Sequence, residues 1–116
     1  VSDVDYELEF KLAKKRLDKA SLDWARAKAD YENLKEYSDV FLANLKNSIS
    51  LTSDKVSEVK LDRMALSTEE FKEYIKGLGE ARKVYIASEA EWQNAKLWHE
   101  SLRTLASLEK SKMNIL

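Results

Sequence analysis

Residues Glu91 to Arg103 read EWQNAKLWHESLR, and how this stretch is read decides the fold. Asp23 to Lys35, 68 positions earlier, read DWARAKADYENLK. Both follow one sentence: an acidic residue and Trp, two variable positions, Ala-Lys, three variable positions, Glu, one variable position, Leu, and a basic residue. Read alone, the His-Glu pair of the later copy suggests a metal motif and its tryptophans a binding surface. Read as a repeat, it is architectural: two arms of one chain present the same stripe to each other.

Working outward from the earlier copy, Tyr6, Phe10, Ala13, Leu17, Ala20, Trp24, Ala27, Tyr31, Leu34, Ser38, Phe41 and Leu45 are spaced alternately by four and three. Only Ser38 is polar. Such a heptad seam, unbroken over more than five heptads, predicts a helix on the order of 60 Å long at ~1.5 Å per residue. A helix of that length needs a partner along its whole extent. The later copy supplies one: Phe71, Tyr74, Leu78, Ala81, Tyr85, Ser88, Trp92, Ala95, His99, Leu102, Ala106, Glu109 and Met113 keep the same rhythm. Its start is marked by STEE, with Ser67 as N-cap and Glu70 three residues on as a capping box. Gly77 and Gly79 weaken this helix locally, so a kink or a close helix contact is expected there.

Composition agrees. The chain has no proline and two glycines in 116 residues, too few turn residues for a loop-rich β fold or a phosphate-cradling loop. Charged residues are 35% and hydrophobic residues 44%, with no apolar run near the roughly 20 needed to span a bilayer. No secretory signal is evident, although the chain begins at Val1 and an upstream segment is compatible with that. Zero cysteines exclude disulfides and thiolate metal sites and are compatible with a reducing cytoplasm. A formal net charge of −1 argues against coating nucleic acid by bulk charge, so any such contact needs a local basic patch.

The expected fold is all-α: a long antiparallel coiled-coil-like hairpin in a single domain, residues 1–116. Its long helices cover about 3–47 and 68–113, with a short connecting helix at about 54–64 and with Leu61 and Leu66 helping to close the tip of the hairpin. Facing positions are expected to add to about 115, which sets Trp24 opposite Trp92, Leu34 against Ala81, Tyr31 against Tyr85, Phe10 against Ala106 and His99 opposite Leu17. The expected hairpin core is Phe10, Leu17, Trp24, Tyr31, Leu34, Phe41, Leu78, Tyr85, Trp92 and Leu102.

Apolar residues also lie off the seam: Leu8, Leu12, Leu22, Leu42, Leu97, Trp98, Leu105 and Leu108. A second stripe needs another helix to cover it, and a two-arm hairpin has none to offer. Self-association is therefore expected, with Leu97, Trp98, Leu105 and Leu108 as the oligomer interface.

Sites of chemistry are sparse. His99 has no second histidine four residues on, as a zinc helix needs, and it falls on the seam, which favours a partly buried, hydrogen-bonded core histidine. Carboxylates interleave with lysines, as in EEFKEYIK, and support helices rather than pairing in a cleft. No catalytic residue, cofactor, metal or small-molecule substrate is expected. The basic cluster is the exception: Lys11, Lys14, Lys15, Arg16 and Lys19 lie within nine residues, and an antiparallel partner brings Arg103, Lys110 and Lys112 alongside. Lys11, Lys14 or Lys15, and Lys19 can line one face that tracks a phosphate backbone, against the plainer reading of a solvated coiled-coil flank. Asp3, Asp5, Glu7 and Glu9 lie just beyond it.

Lys60, Ala65, Ser67, Glu69 or Glu70 and Phe71, followed by GLGEAR and ESLRTL before a basic end, form a pattern over residues 57 to 113. It resembles small helical proteins of tailed bacteriophages found beside replication and recombination genes. The long-hairpin architecture is similar to that of phage recombination mediators of the UvsY type. The resemblance implies a homo-oligomer in the cytoplasm of a bacterial host that contacts single-stranded DNA or a recombination or replication protein. The alternative is a structural or adaptor coiled coil that binds only other proteins.

Overall fold

The computed structural model describes residues 5–52 and 56–115, with side chains as far as Met113. Three helices follow in order: α1 (Tyr6–Thr52), α2 (Glu58–Leu66) and α3 (Glu69–Ile115). The two long helices pack antiparallel with the short one connecting them. The chain divides into two compact units, Val1–Arg26 with Tyr85–Leu116, and Ala27–Val84.

The helix ends differ from the sequence expectation, each for a local reason. The expected start near residue 3 lies outside the described residues. Asp5 is not helical: its Oδ1 accepts from the Leu8 amide at 3.1 Å, so α1 begins at Tyr6. At its other end α1 runs past Asn47 to Thr52, with no glycine or proline to stop it. The hydroxyls of Ser48 and Thr52 donate back to carbonyls of their own helix rather than capping a new one.

The expected start of the short helix near Asp54 also lies outside the described residues. As described, α2 begins at Glu58, where the Ser57 side chain accepts from the Lys60 amide at 3.3 Å, and it ends at Leu66 rather than Met64. Lys46 of α1 ties it down, reaching Asp62 at 2.7 Å and Glu58 at 3.0 Å. The hydrogen bonds to Asp62 and Glu58 hold the Lys46 ammonium above the ordinary lysine range. Ala65 is fully buried and Leu61 half-buried, but Leu66 is exposed and does not help to close the tip as expected.

The capping box at Ser67 is not formed. Ser67 is the C-cap of α2, its hydroxyl donating to the Arg63 carbonyl at 2.6 Å. Thr68 takes the N-cap role, with Oγ1 accepting from the Phe71 amide at 3.1 Å, so Phe71 and not a glutamate stands at the third helical position. Gly77 and Gly79 neither break α3 nor permit a close approach: a methyl group on either Cα would have no neighbour within 4 Å.

Every seam residue from Tyr6 to Leu45 and from Phe71 to Glu109 is withdrawn from solvent, while Met113 is 75% exposed. Among the described residues the enclosed positions are small: Ala13, Ala20, Ala27, Ala65 and Ala95, with Leu102 the one larger side chain. Phe10, Leu17, Trp24, Tyr31, Leu34, Phe41, Leu78, Tyr85 and Trp92 are half-buried. This is what two helices produce by themselves, since a single contact line covers one side of a large ring and leaves its edge to water.

The expected facing register needs correction. Trp24 does stack on Trp92, with ring centroids 4.4 Å apart at 12°. In the same unit, however, Phe10 meets His99 edge-on at 6.1 Å. In the other unit, Tyr74 stacks on Phe41 at 4.6 Å while its hydroxyl donates to the Leu34 carbonyl one heptad away. In each unit the contacts straddle a level about three residues short of the one expected. The midpoint sets Ala20 level with Trp92, Ala13 with His99 and Ser38 with Tyr74. Phe10 is then level with Leu102 rather than Ala106, and His99 with Ala13 rather than Leu17. Long aromatic side chains reach into the neighbouring layer, and Trp92, His99 and Tyr74 lie level with the small residues Ala20, Ala13 and Ser38. The one polar seam position of α1 is thereby explained: Ser38 leaves space at the level where the Tyr74 ring crosses. Burial pushes the Tyr74 phenol up from its ordinary value.

Candidate functional site

At about 100° per residue, Lys11, Lys15 and Lys19 occupy three successive turns of α1 on the face turned away from α3. All three are exposed. Lys14 sits on one shoulder of α1 and Arg16 on the other. The cluster is therefore divided: Lys15, rather than Lys14, completes the line of Lys11 and Lys19.

Part of this charge is already matched. Lys11 lies 3.7 Å from Glu7 and Lys19 3.1 Å from Asp23, both one turn away on the same helix and well exposed. Pairs of this kind hold a side chain weakly and do not prevent it from turning to a phosphate. Arg16 is different. Its Nε and Nη2 grip both carboxylate oxygens of Glu91 on α3, at 2.8 and 3.3 Å. This hydrogen-bonded fork lowers the Glu91 carboxyl below its ordinary range and raises Arg16. Arg16 is an inter-helix tie.

Of the three basic residues expected on the partner arm, Arg103 and Lys110 lie seven apart on the shoulder of α3 that adjoins Lys14, whereas Lys112 points elsewhere. Lys96, seven before Arg103, belongs to the same row and was not among the candidates. Its Nζ lies 4.4 Å from the centre of the Trp92 ring, whose other face carries Trp24. Its signal in the sequence is the Ala-Lys of the repeat, in which Lys96 corresponds to Lys28.

The four candidate interface residues are all exposed: Leu97 60%, Trp98 41%, Leu105 45% and Leu108 55%. They form two rows. Leu97 and Leu108, eleven apart, lie on the side of α3 directly opposite the seam, while Trp98 and Leu105, seven apart, lie on the shoulder next to Glu91. Ile86 continues the first row and is also exposed.

His99 is half-buried against Phe10. Among the described residues no group of three or more His, Cys, Asp or Glu side chains gathers to hold a metal ion. Two concavities among the described residues are shallow and open, one lined by Glu100, Arg103, Thr104, Ser107 and Leu108 and another lined by Asp30, Asn33, Leu34, Tyr37 and Ala81. Among the described residues no helix is long and apolar enough to cross a membrane.

Comparison with protein-family models, with curated proteins and with solved structures finds no match to this chain.

Proposed function

We propose that this chain is a non-catalytic assembly protein, a helical hairpin that associates with further copies of itself through the outer side of α3. The observation that carries the reading is the exposure of Leu97, Trp98, Leu105 and Leu108 within about three turns of one helix. Scattered leucines on a surface are ordinary, but aliphatic and aromatic side chains repeated along one helix are the pattern that another helix covers. Light-scattering mass across a concentration series tests it. The expected result is a stable multiple of 13.4 kDa that falls to the monomer in Leu97→Glu/Leu108→Glu with helix content retained. A monomer at every concentration overturns it.

A second reading places single-stranded DNA along α1, in an accessory role in phage DNA recombination or replication such as the resemblance implies. It is favoured by Lys11, Lys15 and Lys19 on successive turns, with Lys14 beside them. Repetition of this modest patch around an oligomer would add avidity. Anisotropy of a labelled oligothymidylate at graded salt tests it, because each phosphate contact contributes about −0.7 to the slope of log affinity against log salt on single strands. Binding that steepens at low salt and is lost in Lys15→Glu/Lys19→Glu supports the reading. No binding at low salt, with the oligomer intact, leaves an adaptor that contacts only proteins.

A further inference from the structure

Ile86, Leu97 and Leu108 stand eleven positions apart on α3, all more than half exposed. Four residues after the first two come small residues, Ala90 and Ser101, and three further on come the uncharged Gln93 and Thr104. The sequence spacing is already present at Ile75, with Gly79 four residues later. An eleven-residue repeat corresponds to about 3.67 residues per turn, so these positions stay on one side of a nearly straight helix, drifting about 20° per repeat. The seven-residue seam faces α1, and this second repeat faces the other way.

Its composition sets the face apart from the rest of the chain. Charged residues are 35% of the sequence, yet Ile86, Ala87, Ala90, Gln93, Asn94, Leu97, Ser101, Thr104 and Leu108 include none. A free helix face this long would ordinarily carry lysine and glutamate.

We infer that this face docks on the same face of a second copy, antiparallel, about a twofold axis at Leu97. The inference rests on the self-association proposed above and specifies its geometry. Two features select this occupant. First, the row has the same pattern in both directions: with chain sense reversed about Leu97, Ile86 is level with Leu108 of the second copy, Ala90 with Thr104 and Gln93 with Ser101. An isologous contact requires this self-matching. Second, the bordering charges on one side are Glu89, Lys96, Glu100 and Arg103, alternating in sign. Reversal about Leu97 brings Glu89 close to the level of Arg103 of the second copy, and Lys96 close to that of Glu100. In an antiparallel twofold pair like flanks face each other, so each meeting is between opposite signs.

The chain has no cysteine, which makes the test direct. Leu97→Cys, Ile86→Cys and Leu108→Cys are prepared singly, and the last two are also mixed. Under mild oxidation, Leu97→Cys is expected to link to itself, because a residue on the twofold axis meets its own copy within disulfide reach. Ile86→Cys and Leu108→Cys are expected to link in the mixture and not alone. Self-linking of Ile86→Cys and of Leu108→Cys alone indicates parallel helices and overturns the inference, leaving self-association intact. No linking at any of the three positions, in a wild-type chain whose mass is that of an oligomer, moves the interface elsewhere and overturns it too. A wild-type monomer at all concentrations removes both the inference and the reading beneath it.

Discussion

Replacing Gly77 and Gly79 by alanine should stabilise the hairpin. Both lie inside α3, which runs Glu69–Ile115 without interruption, and both are exposed. A methyl group at either site meets nothing within 4 Å, so no packing cost opposes the gain in helix propensity. That gain is about 0.8–1.0 kcal/mol per glycine in an exposed helix interior, and it arises mainly because the unfolded chain loses freedom. The two sites share no side-chain partner, so the pair should be worth about 2 kcal/mol. Urea unfolding followed by helical circular dichroism is the assay, at one fixed protein concentration because association shifts the midpoint. With a slope of about 1–3 kcal/mol per molar urea, the double variant should unfold roughly 1 M later with the slope unchanged. An unchanged or earlier midpoint would refute the reasoning. It would mean either that one of these two positions is covered in solution or that the helix is not continuous there.

Two further outcomes follow from the helix ends and the inter-helix tie. Thr68→Ala should cost about 1 kcal/mol through loss of the α3 N-cap, and Ser67→Ala distinctly less, because its hydroxyl returns to the Arg63 and Met64 carbonyls of the preceding helix; the reverse order in urea midpoints would restore Ser67 as the cap. The Arg16–Glu91 fork should show in the acid limb of stability. A carboxyl lowered in the folded state contributes stability above its unfolded value of about 4.3, and that contribution disappears as pH falls through the folded value. Arg16→Ala should therefore be less stable than wild type at neutral pH, with the gap closing below about pH 4; a gap constant down to pH 3 would assign the loss to packing of the arginine stem instead.

The seam was legible because burying a stripe is a periodic constraint, and the alternation of three and four from Tyr6 to Leu45 satisfies little else. The facing register was not. Trp24 and Trp92 occupy equivalent places in the repeat and do touch, so symmetry suggested that they share a level. Two rings can meet across adjacent layers, however, and only Phe10 against His99 and Tyr74 against both Phe41 and Leu34 expose the offset. The cap was misassigned because Ser67 and Thr68 are adjacent and equally able to cap, and what decided between them was the end of α2, a claim on Ser67 from the other side. Charge was the hardest to read. Proximity in sequence gathers Lys14, Lys15 and Arg16, yet successive helical residues point about 100° apart. Arg16 was thereby taken by Glu91, and Lys96, distant in sequence, joined the row adjoining Lys14.

The stacked indoles of Trp24 and Trp92 also give the molecule an internal optical gauge. Two parallel chromophores 4.4 Å apart share their excitation, and their ultraviolet ellipticity carries a paired signal that separate rings lack. Trp98, the third tryptophan, is 41% exposed, and its emission follows whatever approaches the outer side of α3. Parting of the arms and covering of the outer face can thus be told apart by colour and sign in the unlabelled protein.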